Sequence, residues 1–155
     1  MPRSDASGWL REAATALRLQ PSDLIALTDR DASELIRAVG SRFVADPTRR
    51  WWWEGLLEPC ASRQVFDGRG YELAARVVPA SCDRVLFVPS DDEPPPWPVF
   101  DVARGALVGL LRECPHFEYL LVAPDRSWIV GENHHDFVFA AGQEAVGLLE
   151  ASAQT

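Results

Sequence analysis

Apolar residues follow a helical spacing in the first third of the chain and a strand spacing in the last half. Trp9, Leu10, Ala13 and Leu17 share one stripe of a helix over about 5–18, with Ser4 or Ser7 to cap its start and Pro21 beyond its end. Asp31-Ala-Ser-Glu34 has the arrangement of a capping box, and Leu35, Ile36, Val39 and Phe43 supply the apolar face of a second helix. Asp46-Pro47 closes this pair. Three consecutive tryptophans follow, Trp51 to Trp53, and they cannot all face one core. Large aromatics dominate core burial, so the favoured expectation is that they plug the seam between the helical pair and the rest, with at least one as a lid or an exposed contact. Residues 58–70 are polar and contain glycine, which predicts a loop.

Beyond residue 70 the pattern changes. Tyr71, Ala74, Ala75 and Val78 predict a short helix stopped by Pro79. Arg84-Val-Leu-Phe-Val-Pro89 is a continuous apolar run, as in a strand buried on both faces. The next segment, Ser90 to Pro98, is acidic and proline-rich, predicting a stiff extended surface loop that carries Trp97. Asp101 is placed to cap a helix of about 102–113, ended by Pro115. Strands are expected at 117–122, 127–130 and 137–140, and a last helix at 143–151.

Joined in order, strand 84–89, helix 102–113 and strand 117–122 make a βαβ unit with parallel strands, and short turns make the last three strands an antiparallel meander. The expected fold is therefore α+β: an N-terminal helical pair, then a mixed four-stranded sheet with flanking helices. One domain over 1–155 is expected, with the helical pair at 1–47 and the sheet region at 71–151.

Composition narrows the function. All 15 basic residues are arginine, which removes Schiff-base lysines and phosphate-loop lysines. Residues 1–82 hold 11 arginines and 11 acids, whereas 83–155 hold 4 and 12, so the formal charge of −8 lies in the second part. A negative field repels phosphate backbones and speeds association with a basic protein. Cys60, Cys82 and Cys114 have neither zinc-site nor disulfide spacing. No apolar run reaches the roughly 20 residues of a membrane span, and Met1 to Asp5 leads into no apolar h-region, so a cytoplasmic location is expected.

The candidate chemistry concentrates in Glu132-Asn-His-His-Asp136. Imidazoles and carboxylates are metal and acid–base groups. Adjacent strand residues face opposite ways, which argues against His134 and His135 sharing one ion. His116, expected near Glu132 by strand pairing, would be the third histidine of a metal set with Glu132, His134, His135 and Asp136. Asn133 and Asp136 also suit an ordinary turn, whose side chains bond nearby amides, and that reading is the stronger one. The Asp91-Asp92-Glu93 run, at the carboxyl end of strand 84–89, has the donors of a magnesium site but more commonly marks a solvated loop. No cofactor is expected.

Glu118-Tyr119, Trp128, Glu132-Asn-His-His-Asp136 and Gly142 together resemble a family of small, uncharacterised bacterial proteins with these groups in the same order, over about residues 84–142. Proteins of that kind are often encoded near toxins, which implies an immunity-type role and assigns no catalytic residue. The leading expectation is a protein-binding module that inhibits a basic toxin partner through an acidic C-terminal surface. Its candidate contacts are Asp91, Asp92, Glu93, Trp97, Asn133, His134, His135 and Asp136. A metal-dependent hydrolase built on the 132–136 turn is the alternative, and a structural subunit that associates through Trp51–Trp53 is a third.

Overall fold

The computed structural model describes residues 6–90 and 94–152. Among them, seven strands form a single antiparallel sheet with five helices. In chain order the elements are α1 (Ala6–Ala16), β1 (Leu24–Ala26), α2 (Asp29–Phe43), β2 (Cys60–Gln64), α3 (Gly70–Val77), β3 (Arg84–Pro89), β4 (Phe100–Ala103), α4 (Leu107–Glu113), β5 (Tyr119–Val122), β6 (Ile129–Glu132), β7 (Phe137–Ala141) and α5 (Gln143–Ser152). Across the sheet the order is β1-β4-β3-β5-β6-β7-β2.

This corrects the expected mixed four-stranded sheet. Phe100-Asp-Val-Ala103, where Asp101 is expected to cap a helix of about 102–113, is strand β4, with Phe100 and Val102 buried and Asp101 and Ala103 only half-buried. The proline-rich segment joins β3 to β4, and these strands pair antiparallel. One reversal of the chain therefore precedes α4, so β5 returns antiparallel to β3 with Leu86 opposite Val122, and no βαβ unit forms. The helical stripe around Leu107 and Leu110 is real but starts later, after a 3₁₀ turn at Arg104–Ala106. Strand β2 was hidden because Cys-Ala-Ser-Arg-Gln is a polar edge strand, paired only with β7. Three-residue β1 is the opposite edge.

The N-terminal helices do not form a pair either. Leu10 and Ala13 of α1 join a core with α3, α4 and α5 on one face of the sheet, which supplies Val85, Phe87, Tyr119, Leu121, Val130 and Val138. Leu35, Ile36, Val39 and Phe43 of α2 cover the other face, over Leu120, Val122, Ile129 and Phe139. Strand alternation accounts for this: odd and even residues of β5 enter different cores. Helix α2 starts at Asp29, and its cap is Thr28, whose hydroxyl accepts the Asp31 N–H at 3.2 Å, in place of the expected Asp31–Glu34 box.

Trp52 is the plug under α2. Its indole N–H donates to the Pro47 carbonyl at 3.0 Å, and its ring meets Trp97 edge-on at 5.0 Å. Gly40 of α2 makes room for it, since a Cβ there would lie 3.0 Å from Trp52 Cη2. Trp97, expected on a surface loop, is buried with it. Trp51 and Trp53 stay half-buried. We therefore predict that Trp52→Ala costs about 3–5 kcal/mol of unfolding free energy, and Trp51→Ala no more than about 1 kcal/mol. Denaturant titration of both variants checks this.

Candidate functional site

The site grows from the pairing of β5 with β6, which sets Tyr119 opposite Glu132 and Leu120 opposite Gly131. Glu132 lies on the four-helix face with Val130. A Cβ on Gly70, the first residue of α3, would meet its carboxylate, which is why that helix begins with glycine. Tyr119 Oη donates to Glu132 Oε1 at 3.0 Å. The residue before β5, Glu118, turns to the opposite face. Its carboxylate accepts the Trp53 indole N–H at 2.9 Å on Oε2, and His134 Nδ1 lies 2.9 Å from Oε1. A carboxylate offers only lone pairs, so with Glu118 ionised His134 donates from Nδ1, which fixes its tautomer. Both glutamates are buried, at 6% and 3% relative exposure for Glu118 and Glu132, and burial without these donors would cost several kcal/mol.

Asn133 through Asp136 form the β6–β7 turn. Asn133 is buried, and its Oδ1 accepts the His135 N–H at 2.9 Å and the Phe137 N–H at 3.1 Å. Asp136 takes the left-handed conformation, φ 64°, which Asn and Asp tolerate better than most residues. The turn thus has the chemistry expected of Asx residues, and it presents both histidines outward. The His134 ring lies tilted 45° against His135 at 4.0 Å, with Trp51 at 5.5 Å and Trp53 at 5.9 Å. Trp53 also meets His135 edge-on at 5.6 Å. The Arg50 guanidinium sits 5.2 Å over Trp51. The result is a four-ring patch resting on Glu118. Beside it, a cleft of about 460 Å³ opens over β7 and β2, between Trp53, Glu54 and Leu56 on one side and His135 at its end.

The expected site residues are therefore separated. Asn133, His134, His135 and Asp136 come together, whereas Trp97 lies in the core. Asp91, Asp92 and Glu93 fall outside the described residues. Among the metal candidates, Glu132 is held under α3 by Tyr119 while His134 is held by Glu118 on the other face of the sheet. His116 is exposed and close enough to Glu132 to stabilise its charge. Among the described residues, no three His, Cys, Asp or Glu side chains converge as a metal-binding group. Glu118, Tyr119 and Gly70, together with the tryptophans as partners of the histidines, were not singled out from their chemistry. Glu118 stands two residues before Leu120, at the margin of a strand buried on both faces, and a charge there demands a partner. Comparison with known proteins finds no matching family model, no matching curated protein and no matching solved structure.

Burial raises the Glu132 carboxyl above the usual glutamate value of 4.5, against the opposing effects of the Tyr119 hydroxyl and His116. Burial and the neighbouring Glu132 together push the Tyr119 phenol well up. The folded chain therefore keeps the Glu132 proton at pH values where the unfolded chain has lost it. Its stability should fall as pH rises from about 4.5 through the folded value, then level off. Glu132→Gln keeps an acceptor for Tyr119 and removes the titration. The variant should be more stable than the parent at pH 7, with the gap closing by pH 4, in urea unfolding followed across that range. A gap independent of pH would contradict this placement of the charge.

Proposed function

We propose that this chain is a protein-binding module whose contact surface is the patch of Trp51, Trp53, His134 and His135, acting as an immunity-type inhibitor of a basic toxin partner in the bacterial cytoplasm. The observation that carries this reading is the anchored state of the patch. Glu118 beneath it accepts from Trp53 and His134, and Asn133 fixes the turn, so four half-exposed rings are held in place before any partner arrives. Aromatic groups immobilised in this way lose little conformational entropy on contact, which is the usual property of interface anchors.

The charge supports a basic partner, with a formal −8 that lies within residues 83–155. Two of the acids behind that charge, Glu118 and Glu132, are buried, and Asp101 is balanced by Arg84 at 2.6 Å. Exposed Asp83, Glu113, Asp125, Glu144 and Glu150 remain for long-range attraction. The aromatic patch thus supplies contact, and the acidic surface supplies steering. Three thiols without disulfide partners suit a reducing compartment, and no described helix is long and apolar enough to cross a membrane.

Affinity capture from the native host with the full chain as bait, followed by titration of what is retained, tests this directly. The wild-type chain should retain a basic protein, and Trp51→Ala/His134→Ala should lose at least about tenfold in affinity for it. Raising the salt from about 0.05 to 0.5 M should slow association, since screening shortens the reach of the acidic field. A partner held equally by the double variant, or one indifferent to salt, would contradict the proposal.

A further inference from the structure

We propose that the cleft beside Trp53 receives an arginine side chain presented by the protein partner. The assignment rests on the protein-binding reading for the source of that arginine, and on the cleft's own chemistry for the choice of residue. Phe137 and Phe139 of β7 line it together with Ser62 of β2, Trp53 forms a wall, and Glu54 supplies a carboxylate. None of the 15 arginines of the chain lines it. Aromatic side chains next to a single carboxylate, with no arginine among them and His135 only at the end of the cleft, are the complement of a guanidinium. That group stacks flat on rings while its N–H edge meets an anion.

Two further features sharpen the match. Trp53 gives its indole N–H to the Glu118 carboxylate at 2.9 Å, and a ring whose N–H leans on an anion is richer in electrons at its face. The neighbouring ring already has this chemistry filled from within, with the Arg50 guanidinium 5.2 Å over Trp51. The cleft is also larger than one side chain: its volume of about 460 Å³ has room for the residues flanking the arginine. It runs along Cys60, Ala61 and Ser62 of β2, the last strand of the sheet, whose outer side has no strand neighbour among the described residues. An extended partner segment could lay its main chain there, which favours arginine within a protein over a free small cation.

The test is titration of the full chain, followed by tryptophan fluorescence and backbone amide NMR. The probes are capped pentapeptides Gly-Gly-Xaa-Gly-Gly with Xaa arginine, lysine or citrulline, and arginine amide alone. The arginine peptide should bind saturably and shift the amides of Ser62 and Phe137. Citrulline, which keeps the shape without the charge, should bind about tenfold more weakly, and lysine should fall between them. Glu54→Gln, an exposed position that leaves the core intact, should weaken the arginine peptide at least about threefold, and Trp53→Leu should abolish binding. Equal binding of arginine and citrulline, or an unchanged affinity in Glu54→Gln, overturns the assignment. So does arginine amide binding as tightly as the peptide. A captured partner unaffected by Glu54→Gln overturns the cleft and leaves the proposed function standing. Saturable binding of the arginine peptide with no partner to capture does the reverse.

Discussion

Two carboxylates buried at the same end of one sheet, on opposite faces, govern the organisation around them. Strand alternation forces the separation. Once Tyr119 stands opposite Glu132, Glu132 must enter the four-helix core, and Glu118 must leave on the other side. Neither charge is tolerable without donors, so each face has been built to supply them. On one face the donor is Tyr119, with glycine at the start of α3 to give the carboxylate room. On the other, the Trp53 indole and the His134 imidazole come from two distant segments of the chain.

That second requirement explains the tryptophan run and the histidine pair together. The 3₁₀ turn at Trp52–Glu54 drives Trp52 inward against Trp97 and Gly40, and leaves Trp51 and Trp53 facing the 133–136 turn. Asn133 then holds that turn from below, so the His134 and His135 rings lie tilted against each other and pack against the two indoles. A structural need, the pairing of a buried carboxylate, thereby leaves a rigid aromatic surface and an adjoining cleft. The functional reading adds a partner to a surface whose order has an internal cause.

The legible parts of the sequence were those with strong local periodicity. Arg84–Pro89, the three strands of the meander and the helix after Gly142 could be read from apolar runs, because residues buried on both faces have no polar interruptions. Strands β2 and β4 were not legible, for different reasons. The residues of β2 resemble a loop because one edge and most of its side chains meet solvent. The residues of β4 merge into α4 because Ala103, four residues before Leu107, also fits the helical stripe, and two buried positions, Phe100 and Val102, are too few to show alternation. Without the reversal at β4, β5 would run parallel to β3, as in the expected mixed sheet. At the site, Asn133 was recognisable as a turn residue, while the link from His134 to Glu118 spans 16 residues and the link from Trp53 spans 65, beyond any local pattern.

Glu118 anchors the aromatic patch, and the Trp53 indole N–H that it accepts is the most direct reporter of that anchoring. Its proton should resonate downfield of an exposed indole and exchange slowly with solvent, and Glu118→Gln should move it upfield and speed exchange at unchanged fold, seen from the remaining amide resonances. An indole proton at the exposed position, exchanging freely in the wild-type chain and indifferent to Glu118→Gln, would mean that Glu118 does not hold the patch.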